Sequence, residues 1–227
     1  MFDNYPNYDS LNSDREREDK LMQDKKERCH KNGKLYLIFS FLSVLGTPSI
    51  VVLAIIGAVV AVLLDSKGAE NLVIGLIGVI ALAIGVAIAV IMFLLGRDES
   101  CFKAAGIAYI LLTLFDTVAE FLPEGFLQSI IKILAAIAGL FYLFEFINGS
   151  VNILAGVDNY LSSTWETFRK VLIYLIVGVV ACVILCFIPI IRIIAIIALV
   201  IAAIGAFGIL IWEYVLMFKT AIALKNF

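Results

Sequence analysis

Charge is scarce over most of this sequence and concentrated at its beginning. Of the 17 lysines and arginines, 8 lie within residues 1–34, as do 8 of the 19 aspartates and glutamates. Hydrophobic residues make up 63% of the 227 residues and charged residues 16%, whereas about a quarter of a soluble domain is charged. Water solvates such a weakly charged body poorly, so the sequence predicts an integral membrane protein surrounded by a lipid bilayer.

The sequence lacks the residues that several functional classes require. The sequence has one histidine, His30, whereas a zinc site needs about four ligands. No nucleophile-elbow, zinc-protease or phosphate-loop motif occurs. The basic residues of the tail alternate with acids over residues 14–19, and the net charge is −2, which disfavours nucleic-acid binding. We therefore expect no metal, no cofactor, no nucleic-acid partner and no enzymatic activity.

Long apolar runs account for the rest of the chain. A spanning helix needs about 20 apolar residues to cross a hydrocarbon core of about 30 Å. Pro48 is expected to kink the long first run, and Pro189 with Arg192 to mark a turn between the last two. The expected fold is an all-α, six-span transmembrane bundle of three helical hairpins. Its spans are residues 35–64, 72–95, 102–122, 126–154, 171–188 and 193–218.

Residues 1–34 are expected to form a charged cytosolic tail, disordered at first and helical from Asp14. With the tail inside, 14 of the 17 lysines and arginines lie on the cytosolic side, and only Lys67, Lys132 and Arg192 lie outside. This bias predicts a multi-pass protein with both termini in the cytoplasm, which we place in a bacterial plasma membrane.

Local signals refine the last two spans. Ser163 and Glu166 have the spacing of a capping box, which predicts that the fifth helix begins there. Trp165 and Trp212 are expected at the inner membrane interface, because that region favours amphipathic rings. Glu213 follows Trp212 and is interpreted as a carboxylate that reaches the same interface.

Ionisable residues inside spans are the first candidates for function, since each costs about 2.5–3.5 kcal/mol at a helix centre. Asp116 and Glu120 share one face of span three, and Lys132 lies at similar depth in span four. Tyr109 and Thr113 extend that face inward. The pattern favours either an acidic vestibule that attracts cations or a structural ion pair between Lys132 and an acid.

A second polar face in span four is formed by Glu145, Asn148 and Asn152. It either continues a polar path or supplies hydrogen bonds between helices. The leading hypothesis is a small transporter or channel-type protein with its path in the hairpin of spans three and four. The alternative is a non-transporting anchor or assembly subunit that recruits a partner through its tail. Convergence of these residues on a wet cavity would favour the first hypothesis, and pairing inside the bundle the second.

Small residues recur every four positions in spans two and six. Gly85 and Ala89 form one such ridge, and Ala202 and Ala206 another. Ridges of this kind allow helix backbones to approach closely. We expect the closest contact between spans two and six, through Gly85 and Ala202. The same ridges are candidates for contact with a partner subunit or a second copy in a homo-oligomer.

Overall fold

The structure, a computed structural model, is all-helical where it is described. It describes residues 8–64, 67–189 and 191–227, with side chains except those of 8–14, 45–78 and 81. No strand occurs in these ranges, and the prediction of an all-α fold is confirmed. The helices are α1 (Tyr8–Leu64), α2 (Lys67–Leu95), α3 (Ser100–Phe121), α4 (Phe126–Leu154), α5 (Asn159–Leu185) and α6 (Arg192–Asn226).

Four of these helices, α3 to α6, are long and apolar enough to cross a membrane. Within α2, Leu82–Leu95 is a shorter apolar stretch in the part of the chain that the structure describes. Many large apolar side chains on these helices are exposed, including Phe121 at 84% and Phe126 at 83%. Apolar surface on this scale suits lipid rather than water. The helices are therefore compatible with an integral membrane protein.

The tail and the first apolar run form one continuous helix. Helix α1 contains 57 residues, which corresponds to about 85 Å at 1.5 Å per residue. It continues through Pro48 and begins at Tyr8, earlier than the expected start at Asp14. The helix is thus far longer than a membrane span requires.

Helix α5 begins at Asn159 rather than at Ser163, so the capping-box prediction is wrong. Asp158 is the N-cap, and its side chain accepts a hydrogen bond from the backbone N–H of Leu161 at 2.9 Å. Ser163 instead donates to the carbonyl of Tyr160 at 2.9 Å, inside the helix. The earlier carboxylate satisfies the first free N–H groups, and the helix therefore starts one turn sooner.

The helices pack as neighbours along the chain, with α1 also against α6 and a smaller contact between α4 and α6. In the described part of the chain, α2 contacts α1 and α3 but not α6. A Cβ added to Gly85 would lie 3.5 Å from the Tyr109 hydroxyl of α3. The predicted contact between Gly85 and Ala202 is therefore wrong. Spacing alone identifies a ridge of small residues but not the helix that packs on it.

Among the side chains that the structure describes, burial is concentrated at one end of the bundle, which we call the closed end. There α1 meets the α2–α3 turn, the α4–α5 turn and the end of α6. The opposite, open end carries the α3–α4 and α5–α6 turns, and its apolar side chains are largely exposed. The largest fully buried side chains belong to the closed end, among them Trp165, Tyr36, Phe102 and Phe146.

Candidate functional site at the closed end

An aromatic cluster contributed by four helices fills the closed end. Tyr36 stacks on Phe146 with ring centroids 5.8 Å apart and meets the edge of Phe102 at 6.1 Å. Phe146 in turn packs edge-on against Trp165 at 5.8 Å, and Trp165 against Phe168 at 5.6 Å. All five rings have 0 or 1% exposure. These contacts tie α1, α3, α4 and α5 together around one dense core.

Two hydrogen bonds lie inside this cluster. The Ser150 hydroxyl donates to the Phe146 carbonyl at 2.8 Å, so Tyr36 Oη is the donor in its 2.6 Å bond to Ser150 Oγ. Trp165 Nε1 donates to Thr220 Oγ1 at 2.9 Å. Trp165 is fully buried within the bundle. Its indole N–H finds a protein acceptor and does not need the lipid headgroups.

Glu213 is one of the acidic residues near this cluster. It is partly buried on α6, and its carboxyl group interacts electrostatically with the hydroxyls of Tyr36 and Tyr142. The two tyrosines belong to α1 and α4, a proximity that no spacing along α6 indicates.

Helix α1 is fixed to the closed end by contacts to three different segments. Asn32 Nδ2 donates to Asp98 Oδ2 in the α2–α3 turn at 2.7 Å, and Asn32 is only 3% exposed. His30 Nδ1 lies 3.1 Å from the Lys225 carbonyl at the end of α6. Lys25 Nζ donates to the Gly156 carbonyl in the α4–α5 turn at 3.4 Å. These contacts orient the tail helix relative to the bundle.

The spacing of Asn32, Tyr36 and Ser40 in the sequence indicates the face of α1 that contacts the bundle. Polar residues four apart share one helix face, and this stripe enters an apolar run. All three side chains are buried, and Ser40 donates to the Tyr36 carbonyl at 2.8 Å. A criterion based on charge does not select this stripe, because none of its members is charged.

The acids of the predicted face of span three lie at the surface of the described bundle. Thr113 Oγ1 donates to the Tyr109 carbonyl at 2.9 Å, so its hydroxyl is used within its own helix. Asp116, Glu120 and Lys132 are all exposed. Within the described part of the chain, Lys132 forms no ion pair with either acid, so the predicted structural pair is absent there.

The polar residues of span four pair with neighbouring segments. Arg169 of α5 donates to Asn148 Oδ1 at 2.7 Å, and Asn152 Nδ2 donates to Glu99 Oε1 at 3.2 Å. Glu145 is partly buried beside the Cys101 thiol. These residues lie near the closed end, whereas Asp116 lies in the open half of α3. The structure therefore does not bring the two predicted polar faces together.

The residues described contain no group of three or more potential metal ligands. No family model, no curated protein and no solved structure matches this chain. The candidate site therefore rests on the geometry of the closed end and the helix that extends from it.

Proposed function

We propose that this chain is a six-span integral membrane protein with both termini in the cytosol. It acts as a non-transporting anchor or assembly subunit that presents a rigid charged helix to a protein partner. The observation that carries the proposal is the continuity of α1 from its buried Tyr36 into a fully exposed segment. Every residue of 15–24 is exposed, although the helix is anchored a few turns later by Asn32 and His30.

The exposed segment has features of a binding surface. Its charges alternate in sign, which favours solubility and selective pairing with a complementary surface. Leu21 and Met22 lie among these charges with 60% and 55% exposure. Large apolar side chains on a water-exposed helix are typical anchors of a partner contact. The docking of Asn32 limits the conformational freedom that such binding would otherwise cost.

The pairing of the polar residues further supports this choice over a transporter. Asn148 is bonded to Arg169 and Asn152 to Glu99, and Thr113 bonds its own backbone. Side chains that line an aqueous path leave polar atoms available to water and substrate. Here those atoms hold helices and turns together.

Site-specific photo-crosslinking in cells tests the proposal on the full chain. A photoreactive residue at Met22 should yield one adduct of defined mass, identified by mass spectrometry. The control is the same residue at Tyr174, which is 75% exposed on the apolar surface of α5, and it should not give that adduct. Leu21→Glu should reduce the Met22 adduct, because it places a charge in the apolar contact. Absence of a Met22 adduct, or the same adduct from Tyr174, would exclude recruitment through this helix.

A transporter or channel is the second candidate, favoured by the exposed carboxylates Asp116 and Glu120 within apolar α3. Such charges are costly in lipid unless they face water. The test is cation flux in liposomes containing the purified chain. Flux that Asp116→Asn abolishes, and that Glu124→Gln in the α3–α4 turn preserves, would replace the anchor proposal with this one.

A further inference from the structure

The flank of the bundle between the start of α5 and the end of α6 contains a cavity of about 490 Å³. Its apolar walls include Trp212, Val215 and Ile222, and its polar rim includes Tyr160 and Lys219. Val215 is 45% and Ile222 54% exposed, so these side chains face the groove. Trp212 is held by an edge-on contact with Phe168, with centroids 5.3 Å apart. Packing therefore positions the Trp212 wall of the groove.

The lining changes from apolar to polar along the helix axis. Trp212 lies within the apolar part of α6, and Lys219 comes seven residues later, or about 10 Å at 1.5 Å per residue. The bond between Trp165 and Thr220 places Lys219 level with the first turns of α5. Tyr160 lies further toward the closed end and is 82% exposed. A phospholipid has the same order of groups, with acyl chains followed by a phosphate at the membrane surface.

The lining contains one cation, Lys219, and one carboxylate, Asp158. The Asp158 side chain caps α5 by accepting from the Leu161 N–H at 2.9 Å. Lys219 makes no hydrogen bond or ion pair with any side chain that the structure describes. Its ammonium group is therefore available for a ligand. A basic residue between helices on the cytosolic side is a recurrent way to hold an anionic headgroup.

We propose that this groove binds one anionic phospholipid of the cytosolic leaflet. Its phosphate lies at Lys219 and Tyr160, and an acyl chain lies along Trp212 and Val215. The inference rests on the proposed membrane orientation but not on recruitment of a partner by α1. The two proposals therefore fail in different experiments.

Native mass spectrometry of the full chain in detergent tests this site. Phosphatidylglycerol is titrated against the protein, and the dissociation constant of the first adduct is measured. Lys219→Gln should bind about fivefold more weakly, as expected for the loss of one cation at an anionic surface. The matched control is Lys225→Gln, an exposed lysine on the same helix outside the cavity lining, which should leave binding unchanged. Both substitutions are at exposed positions and should preserve the fold.

A second pair of measurements identifies the ligand class. Phosphatidylcholine should bind more weakly than phosphatidylglycerol to the natural sequence, and the difference should shrink in Lys219→Gln. Glycerol phosphate, which lacks acyl chains, should not compete with phosphatidylglycerol. Effective competition by glycerol phosphate, or equal losses for Lys219→Gln and Lys225→Gln, would overturn the proposal of a lipid site at Lys219.

Discussion

At the scale of single residues, the hydroxyl of Tyr36 joins α1 to α4 inside the aromatic cluster. Tyr36→Phe removes the 2.6 Å bond to Ser150 Oγ and keeps the ring contacts. We expect unfolding to cost about 1 kcal/mol less, the usual contribution of a buried hydrogen bond. Denaturant titration of the purified chain measures this change. Tyr174→Phe is the control because Tyr174 is 75% exposed, and it should leave stability unchanged.

Ser150→Ala completes this test. If the hydroxyl pair is the cause, the double variant with Tyr36→Phe should lose less than the sum of the two single losses. Strict additivity would show that the two hydroxyls do not act on each other.

The cysteine nearest the tail should react slowly in the folded protein. Burial raises the pKa of the Cys29 thiol, against the lowering effects of Lys25 and Arg28. A raised pKa leaves less thiolate at a given pH, and Cys29 is only 7% exposed. Alkylation at pH 8 should be several-fold slower in the folded chain than in the chain unfolded in dodecyl sulfate. Peptide mass spectrometry reads the modified fraction, and equal rates would contradict the buried position.

The same shift has a consequence for stability. The folded chain favours the neutral thiol, and this preference contributes to the stability of the fold. The contribution is complete at pH values below the pKa of Cys29 in the unfolded chain. It is lost as the pH rises through the higher pKa of the folded chain.

Single residues also show what the sequence left open about the site. Asp116 and Lys132 are predicted as functional candidates because they are charged. Both are exposed, and they do not pair with each other in the described structure. The buried contacts instead involve Asn32 and Tyr36, which bond to Asp98 and Ser150 far along the chain. Long-range pairs of this kind depend on how helices are arranged, and periodicity within one helix does not contain that information.

At the scale of helices, the lengths of the apolar runs predicted where some helices begin and end. Helices α3 and α4 end within two residues of the predicted limits because charged or proline-containing turns interrupt the apolar runs. The start of α5 was missed because two possible capping residues, Asp158 and Ser163, lie one turn apart. The partner of each small-residue ridge was also missed. Gly85 faces Tyr109, and no property of α2 alone selects α3 over α6.

The contact between α1 and α6 depends on Gly33. A Cβ at this position would lie 2.7 Å from the backbone nitrogen of Lys225 and 3.0 Å from the Ala221 carbonyl oxygen. Gly33→Ala should therefore destabilise the fold by about 1–3 kcal/mol, because backbone atoms cannot move aside as side chains can. The gain in helix propensity, about 1 kcal/mol, opposes only part of this loss.

Gly178→Ala is the matched control for that substitution. Gly178 lies within helix α5, and an added Cβ there would have no atom within 4 Å. This variant should unfold at the same or a higher temperature than the natural sequence in scanning fluorimetry. A Gly33→Ala variant as stable as Gly178→Ala would show that the α1–α6 approach is looser than described.

At the scale of the whole molecule, the two ends of the bundle have different characters. The closed end combines the buried aromatic cluster with hydrogen-bonded turns and the docked tail. The open end exposes apolar side chains such as Phe126 at 83% and Ile193 at 72%. A bundle whose described side chains are packed at one end and expose apolar surface at the other suits a protein whose interactions in water occur at the closed end.

The distribution of basic residues along this axis predicts the orientation. The closed end and tail contain 14 of the 17 lysines and arginines, and the exceptions are Lys67, Lys132 and Arg192. Basic residues near span ends are retained in the cytosol during insertion. We therefore expect the closed end inside and the open end outside, with both chain termini cytosolic.

Single-cysteine labelling in intact cells tests this orientation. In a variant with its four native cysteines replaced, cysteines are introduced one at a time at Ser100 and Ser163, and at Glu124 and Pro189, all exposed positions. A membrane-impermeant maleimide should label Glu124→Cys and Pro189→Cys from outside, and the other two only after the membrane is permeabilised. Labelling of Ser100→Cys from outside would reverse the topology, while labelling of Pro189→Cys only after permeabilisation would show that α5 and α6 do not span as a hairpin. Because the four sites lie at or near successive ends of α3, α4 and α5, together they test whether each of these three helices crosses the membrane.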